Sequence, residues 1–358
     1  MNFAYRFPAV RGIQSHREYY ISMVPMKLLI KLFPEEEETL LPEYRAQRKI
    51  NELRIPEIRD YIVNNRDSYV FSALSASIDG EFEYKPSDTN NEVGILEVNM
   101  EATFLINDGQ HRKAAIEEAI KEDPTIGDET ISIVFFKDEG LLKSQQMFTD
   151  LNKHAVKTSN SLSTLYDSRD ALAVATKKVI ESVPFLKKYT DKEKDNLGKN
   201  SLNLFTLTCI YKANTKILHN ECNEHDAKFL ISFWNGVADN IPEWTELQKK
   251  QISKKDLREH YITTLAITMY AFGRLGRYFY DNRSADMNDY LRKLQDIDWL
   301  RSNRENWFGR AIKEDGKVKN NEDAAILTCA KIKQLIDIPL SKEEKIKEKQ
   351  LIEMKHKK

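Results

Sequence analysis

Charge of one sign is what this sequence lacks most clearly. Its 55 Lys and Arg residues meet 56 Asp and Glu, leaving a formal net charge of −1. A uniformly basic surface is excluded, and any nucleic-acid binding has to come from local patches. Cysteine is scarce as well. The three residues Cys209, Cys222 and Cys329 lie far apart and form no CxxC pair. That argues against a zinc site or a disulfide scaffold and fits a reducing cytoplasm. No apolar run approaches the roughly 20 residues of a membrane span. Arg6, Arg11, His16 and Arg17 interrupt the apolar stretch that a signal peptide would need. The expectation is a cytoplasmic protein with no membrane partner. No Walker A loop and no repeat of fixed period are found, and no helix-turn-helix stands out. His219 and His225 flank Cys222 but lack ligand spacing, so no metal site is expected.

What is present is enough for real cores. The chain has 358 residues, 41% hydrophobic and 10% aromatic, which is room for two domains. Up to about residue 160, strand and helix signals alternate. Phe3–Ile13 and Tyr19–Val24 are rich in aromatic and β-branched residues and predict strands, and Met26–Phe33 predicts a helical turn. Pro56 followed by Ile58, Tyr61 and Ile62 predicts a short helix. Tyr69–Ile78 predicts a strand ending in a hairpin-type turn at Asp79-Gly80. Phe82–Tyr84, Gly94–Val98 and Ile131–Phe136 add strands, and Leu141–Leu151 has helical spacing. Beyond residue 160 helical periodicity takes over: Ala171–Ser182, Leu202–Ala213, Asp226–Asp239, Met287–Ile297 and Asn321–Ile336. Ser253 reads as the N-cap of a long helix whose stripe runs through Leu257, Tyr261, Leu265, Thr268, Phe272, Leu275 and Phe279. Gly273 and Gly276 would allow close packing near its end. The predicted organisation is α+β over 1–160, a mostly α-helical domain over 161–340, and a charged, fraying tail over 341–358.

One stretch organises the first half. Phe104, Leu105 and Ile106 end a buried strand, Asn107 to Gln110 make a polar turn, and a helix with a small inner face (Ala114, Ala115, Ala119, Ile120) comes next. A strand turning through glycine into a helix leaves unpaired N–H groups, a ready anion site. Gly109 lets the backbone approach a phosphate, and Arg112 can neutralise it. His111 is the acid/base candidate at neutral pH, Asp108 could hold a metal or orient a water, and Gln110 could place a nucleophile. That inventory suits a nucleotide or nucleic-acid phosphodiester better than acyl transfer. The plain alternative is a polar cap with solvated side chains.

The DGQHR pentapeptide in this setting resembles the family named for that motif, whose best-known members are the DndB proteins of DNA phosphorothioation systems. The likeness extends to Gln47-Arg48 with Arg54, Pro56, Ile58 and Tyr61-Ile62, to Met147–Asp170 with its DLNK block, and to Asp298–Val318. By wider analogy the first domain looks like the ParB/sulfiredoxin-like fold, in which a Gly-x-x-Arg turn, here Gly109 and Arg112, binds nucleotide phosphates. The resemblance implies a DNA-binding repressor of its own modification genes, with promoter DNA and other sulfur-modification proteins as partners. It leaves open a nucleotide hydrolase or DNA-nicking enzyme using Asp108, Gln110, His111 and Arg112, with a nucleoside triphosphate and Mg²⁺ as ligands. Oligomeric state is open.

Gln47 and Arg48 could reach the central turn, and Asn152 and Lys153 could close its pocket. For each, a solvated surface position is the alternative. Lys254, Lys255 and Arg258, at the start of the long helix, are candidate phosphate contacts, as are Arg304 and Arg310 among Trp299, Trp307 and Phe308. Lysines place a protein on a duplex without reading bases, and the two tryptophans serve equally well as core.

Overall fold

The computed structural model describes residues 3–34, 50–153, 158–198, 201–218, 222–283 and 285–356, with the side chains of 152, 153, 355 and 356 also left aside. The chain divides into two compact units, 1–156 and 157–358.

The first unit is built on a seven-stranded mixed sheet. Strands β1 (Ala4–Gln14) and β2 (Arg17–Pro25) form an antiparallel hairpin. Its two-residue turn places Ser15 and His16 at φ 52° and 61°, the backbone that matches the twist of paired strands. Helix α1 (Met26–Leu32) is next, then α2 (Ile55–Val63) with Pro56 in its first turn. They are succeeded by β3 (Leu74–Asp79), β4 (Phe82–Pro86), β5 (Val93–Asn99), β6 (Thr103–Asp108), α3 (Gln110–Glu122), β7 (Thr130–Lys137) and α4 (Leu141–Lys153).

Asp79-Gly80 does end a strand, but it makes no hairpin. The order across the sheet is β4-β5-β1-β2-β7-β3-β6, so β3 and β4 are not partners. Only Gly80 and Glu81 join them, and two residues span too little for a flat sheet. The sheet therefore curls until its two sides approach. Side-chain contacts show the result: Tyr20 on β2 meets Phe82 on β4 at 5.9 Å, and Phe7 on β1 meets Phe104 on β6 at 6.5 Å, across intervening strands. Alternation along the strands sends Phe7, Val24, Ile78, Val98, Ile106, Ile133 and Phe135 into the shared core.

The second unit is nearly all helix. Its elements are α5 (Asn160–Tyr166), α6 (Ala171–Ser182), α7 (Pro184–Tyr189), α8 (Leu207–Ile217), α9 (Glu224–Asp239), α10 (Pro242–Gln248), α11 (Lys254–His260), α12 (Ala266–Asp281), α13 (Met287–Arg292), α14 (Arg304–Trp307), α15 (Glu322–Leu335) and α16 (Lys342–His356), with a two-residue strand pair at 190–191 and 205–206. Trp234, Trp244, Trp299 and Trp307 are all fully buried. The Trp234 indole donates to Asn214 Oδ1 at 2.8 Å, and the Asn214 amide donates to Thr176 Oγ1 at 2.9 Å. That chain of bonds ties α9, α8 and α6 together with their buried polar groups satisfied. Gly273 brings α12 so close to α8 that a Cβ there would sit 2.3 Å from the Ala213 carbonyl oxygen.

Three sequence expectations fail here for physical reasons. The single helix from Ser253 to Phe279 is two, because α11 stops at His260 and α12 begins at Ala266. Between them the β-branched run Ile262-Thr263-Thr264 succeeds Tyr261, which pairs with Leu300 in an isolated bridge. The Ile262 N–H donates to the Trp299 carbonyl at 3.0 Å, and the Arg301 guanidinium donates to the Arg258 and Tyr261 carbonyls at 2.6 and 3.1 Å. Carbonyls at the end of α11 are thus answered by the 299–301 segment rather than by a further helical turn. The charged run after 341 does not fray either. Ser341 and Glu344 cap α16 reciprocally, and Glu344, Glu348 and Leu351 face inward, at 2%, 5% and 9% exposure. The expected helix at Leu202–Ala213 starts instead at Leu207, where Thr206 accepts the Cys209 N–H as N-cap.

Candidate functional site

The DGQHR turn is set by a bulge. Strand β6 pairs Ile106 with Ala76 and Asp108 with Ser75, so Asn107 is the extra residue between two consecutive positions of β3. A bulge kinks a strand and re-aims the residues beyond it. Asn107 is 1% exposed and its amide donates to Ser77 Oγ at 2.7 Å, while its Oδ1 has no partner. Asp108 closes the strand. Gly109, at φ 108° and ψ 14°, is the N-cap of α3 and turns the chain into the helix without a side-chain cap. A Cβ there would lie 2.3 Å from Leu74 Cδ2, so this position requires glycine by conformation and by space. We expect Gly109→Ala to destabilise the first unit by about 1–2 kcal/mol from backbone strain alone, with the Leu74 clash added. Thermal melting of the purified protein checks this.

Arg112, one turn into α3, reaches back over the turn. One guanidinium nitrogen donates to Ser72 O and Ser72 Oγ, both at 2.6 Å, and to Ala73 O at 2.9 Å. The other donates to Asp108 Oδ2 at 2.6 Å. The planar fork therefore clamps the strand entry at 72–73 to the end of β6, and Asp108 neutralises it. His111 is engaged too: its Nε2 accepts the Asn51 N–H at 3.0 Å. An acceptor nitrogen carries no proton, so this bond assigns the neutral ring with its hydrogen on Nδ1. Lys113 is nearly buried and pairs with Glu117 at 2.8 Å. The first rung of the helix ladder is Lys113 N–H to Gly109 O at 3.0 Å. The N–H groups before it take no part in that ladder.

The arrangement thus sets a balanced Asp–Arg pair at the start of α3, beside the His111 imidazole. Among the described residues no three His, Cys, Asp or Glu side chains group closely enough to hold a metal. A cavity of about 930 Å³, lined by Tyr20, Phe82, Glu97 and Lys137 among others, opens at the far end of β3, beside Gly80 and away from the turn.

The expected neighbours divide. Gln47 and Arg48 lie outside the described residues, though the chain reaches His111 at Asn51, soon after them. Asn152 and Lys153 fall in the last turn of α4, a helix packed beside β6, and their side chains lie outside the description. Lys254 and Lys255 occupy the first turn of α11, held by the Ser253–Asp256 capping box. Lys254 lies over the Tyr189 ring at 5.9 Å, and Arg258 donates to the Gly198 carbonyl at 3.0 Å. Arg304 is exposed, 4.2 Å from the Phe308 ring centre and 3.2 Å from Glu314. Arg310 belongs elsewhere. It is 6% exposed, and its guanidinium donates to both Glu348 oxygens, at 2.9 and 2.6 Å, and to the Glu305 and Asn306 carbonyls. Trp299 and Trp307 stack on each other at 5.4 Å in the core. The Arg-and-Trp pattern of 299–310 is therefore largely internal framework. Sequence reading missed the Asn107 bulge and the Ser72–Ala73 acceptors, since neither leaves a residue-type signal.

No curated protein and no solved structure matches the chain. The family model DndB, described as DNA-sulfur modification-associated, matches residues 7–339. That span takes in the curled sheet, the DGQHR turn and the helical unit as far as the end of α15. With nearly the whole chain matched, the protein belongs to the DndB family of DNA-sulfur modification-associated proteins.

Proposed function

We propose that the protein is a DNA-binding regulator that represses a phosphorothioate-modification gene cluster, and that its DGQHR turn anchors a phosphate without cleaving it. The family places the chain in DNA sulfur modification. The observation that favours anchoring over catalysis is the turn's internal bonding. Arg112 is fixed in place by Ser72, Ala73 and Asp108, and the His111 nitrogen that would take up a proton already accepts the Asn51 N–H. A general base needs that lone pair within reach of its substrate. A static anchor needs only a guanidinium held in place at a helix start, and Arg112 is held there.

In this reading the first unit is a ParB/sulfiredoxin-like scaffold, with Gly109 and Arg112 as its phosphate turn. Gln47, Arg48, Asn152 and Lys153 are assigned to the same phosphate, and Lys254, Lys255, Arg258 and Arg304 to backbone contacts on the duplex. Other sulfur-modification proteins are the natural partners. The test is a footprint on the DNA upstream of the protein's own gene, with affinity tracked across salt. We expect protection of a discrete site and a steep fall of affinity with salt, since every neutralised phosphate releases counterions. Hydrolysis of a nucleoside triphosphate with Mg²⁺, or nicking of DNA, that disappears in Asp108→Ala would replace this reading with the enzymatic one.

A further inference from the structure

Helix α16 is amphipathic the wrong way round. Its inward side carries Glu344 and Glu348 at 2% and 5% exposure with Leu351 as its one apolar residue at 9%, whereas Ile346, Ile352 and Met354 stand in solvent at 58%, 50% and 64%. A helix docked for good on a protein core turns its apolar residues inward. This one docks mainly through charge. Lys333 Nζ donates to both Glu344 oxygens at 2.8 and 2.9 Å, Arg310 grips Glu348 through both oxygens, and Arg274 pairs with Glu343. Lys347 on α16 reaches back to Asp323 at 2.8 Å.

The surface beneath has its own character. Arg310 and Lys333 find their carboxylates only on α16 among the described residues; their other contacts are the Glu305 and Asn306 carbonyls and the Tyr278 ring. Lys331 lies in the same neighbourhood, where burial and the Arg310 charge lower its pKa. Glu305, Glu322 and Asp323 stay on the rim, with Glu322 on Arg274. Removing α16 leaves Arg310 and Lys333 without a carboxylate partner among the described residues, with Lys331 near Arg310 and Glu305 as the remaining acid beside it. Glu344 and Glu348, one helical turn apart over such a centre and flanked by Glu343, occupy the place that a row of phosphates would take.

We propose that α16 is a displaceable acidic cover over a polyanion-binding cleft formed by Arg274, Arg310, Lys331 and Lys333, and that duplex phosphates compete with Glu343, Glu344 and Glu348 for it. This rests on the DNA-binding reading above and gives it a masked second contact. Arg310 then reaches DNA only when α16 leaves, and the exposed Ile346, Ile352 and Met354 do not hold the helix down.

The test uses the full chain with two probes, a 20-base-pair duplex and inorganic polyphosphate. Hydrogen exchange of the wild type should show amides of 342–356 losing protection when either is added. Glu343→Gln/Glu344→Gln/Glu348→Gln keeps the helix cap, because glutamine also serves in a capping box. It should bind both probes about tenfold tighter at low salt. Its log–log salt slope should steepen by up to about 3, one unit per newly available cation. Arg310→Met/Glu348→Leu, which keeps volume while removing charge, should hold α16 closed and gain nothing. A glutamine variant with α16 unprotected that binds polyphosphate no tighter than wild type overturns the cleft. If the duplex binds wild type while α16 stays protected, the inference fails and the DNA-binding reading stands. Displacement by polyphosphate and not by any duplex overturns DNA as the ligand here and counts against that reading as well.

Discussion

Arg112→Ala lowers the stability of the first unit by about 2–3 kcal/mol, the range for removing charged hydrogen bonds to partly buried acceptors. The substitution leaves Ser72 O, Ala73 O and Asp108 without the donor that joined them. Arg112→Lys recovers less than half of the loss, because one ammonium cannot serve the strand entry and the carboxylate in the geometry of a guanidinium fork. Melting of the three proteins measures it, and an Arg112→Ala melting curve matching wild type would remove the clamp from the account. Loss of DNA affinity in Arg112→Ala is ambiguous by itself, since a loosened turn also misplaces the helix N–H groups. Asp108→Asn separates the two effects. It keeps an acceptor for Arg112 while removing the charge that neutralises it, so a phosphate held by Arg112 should bind severalfold more tightly. Unchanged affinity in Asp108→Asn, with an unchanged melt, would mean that Arg112 only clamps.

The legibility of this turn was uneven. Strand, glycine and helix were readable because each has a residue-type signature: Phe104 and Ile106 buried, Gly109 at positive φ, Ala115 and Ala119 inward. What Arg112 does was not readable, because beyond Asp108 its acceptors lie on Ser72 and Ala73, some forty residues upstream, two of them main-chain oxygens that every residue has. The same limit governs the larger architecture. Ala171–Ser182 was readable to the residue, since Asp170 caps it and its apolar period is clean. The break at 261–265 was hidden by a stripe that continues in register across it: Leu257 and Phe272 are both buried, on different helices. Only the run Ile262-Thr263-Thr264 hinted at extended backbone. The pairing partners of β3 and β4 were equally hidden, because strand alternation says which face is buried and nothing about which neighbour completes the ladder. Arg310 and Glu348 show the cost of reading charge as surface. Each looks solvated alone, and they are buried because they meet each other.

Glu243→Gln stabilises the second unit at pH 8 and has little effect at pH 5. Glu243 sits in the first turn of α10, 8% exposed, with Oε2 unpartnered, beside Trp244, which stacks on Phe185 at 4.4 Å. Burial, with Glu246 and Asp298 adding repulsion, pushes its carboxyl up from 4.5 to about 7. Proton counting gives the sign. The folded state keeps a proton that the unfolded chain gives up, so stability falls as pH rises from 4.5 to 7 and then stays low. A shift of this size corresponds to about 3 kcal/mol at pH 8 and about 1 kcal/mol at pH 5. Glutamine keeps the volume and carries no charge, so the variant should melt roughly 6–10 °C higher at pH 8 for a unit of this length. The gap should narrow steadily towards pH 5. Equal melting temperatures at pH 8 would show that water reaches the carboxylate and that it ionises without penalty. A wild type stabilised between pH 5 and 8 relative to the variant would mean a cation pairs with Glu243 in solution, reversing the sign of its contribution.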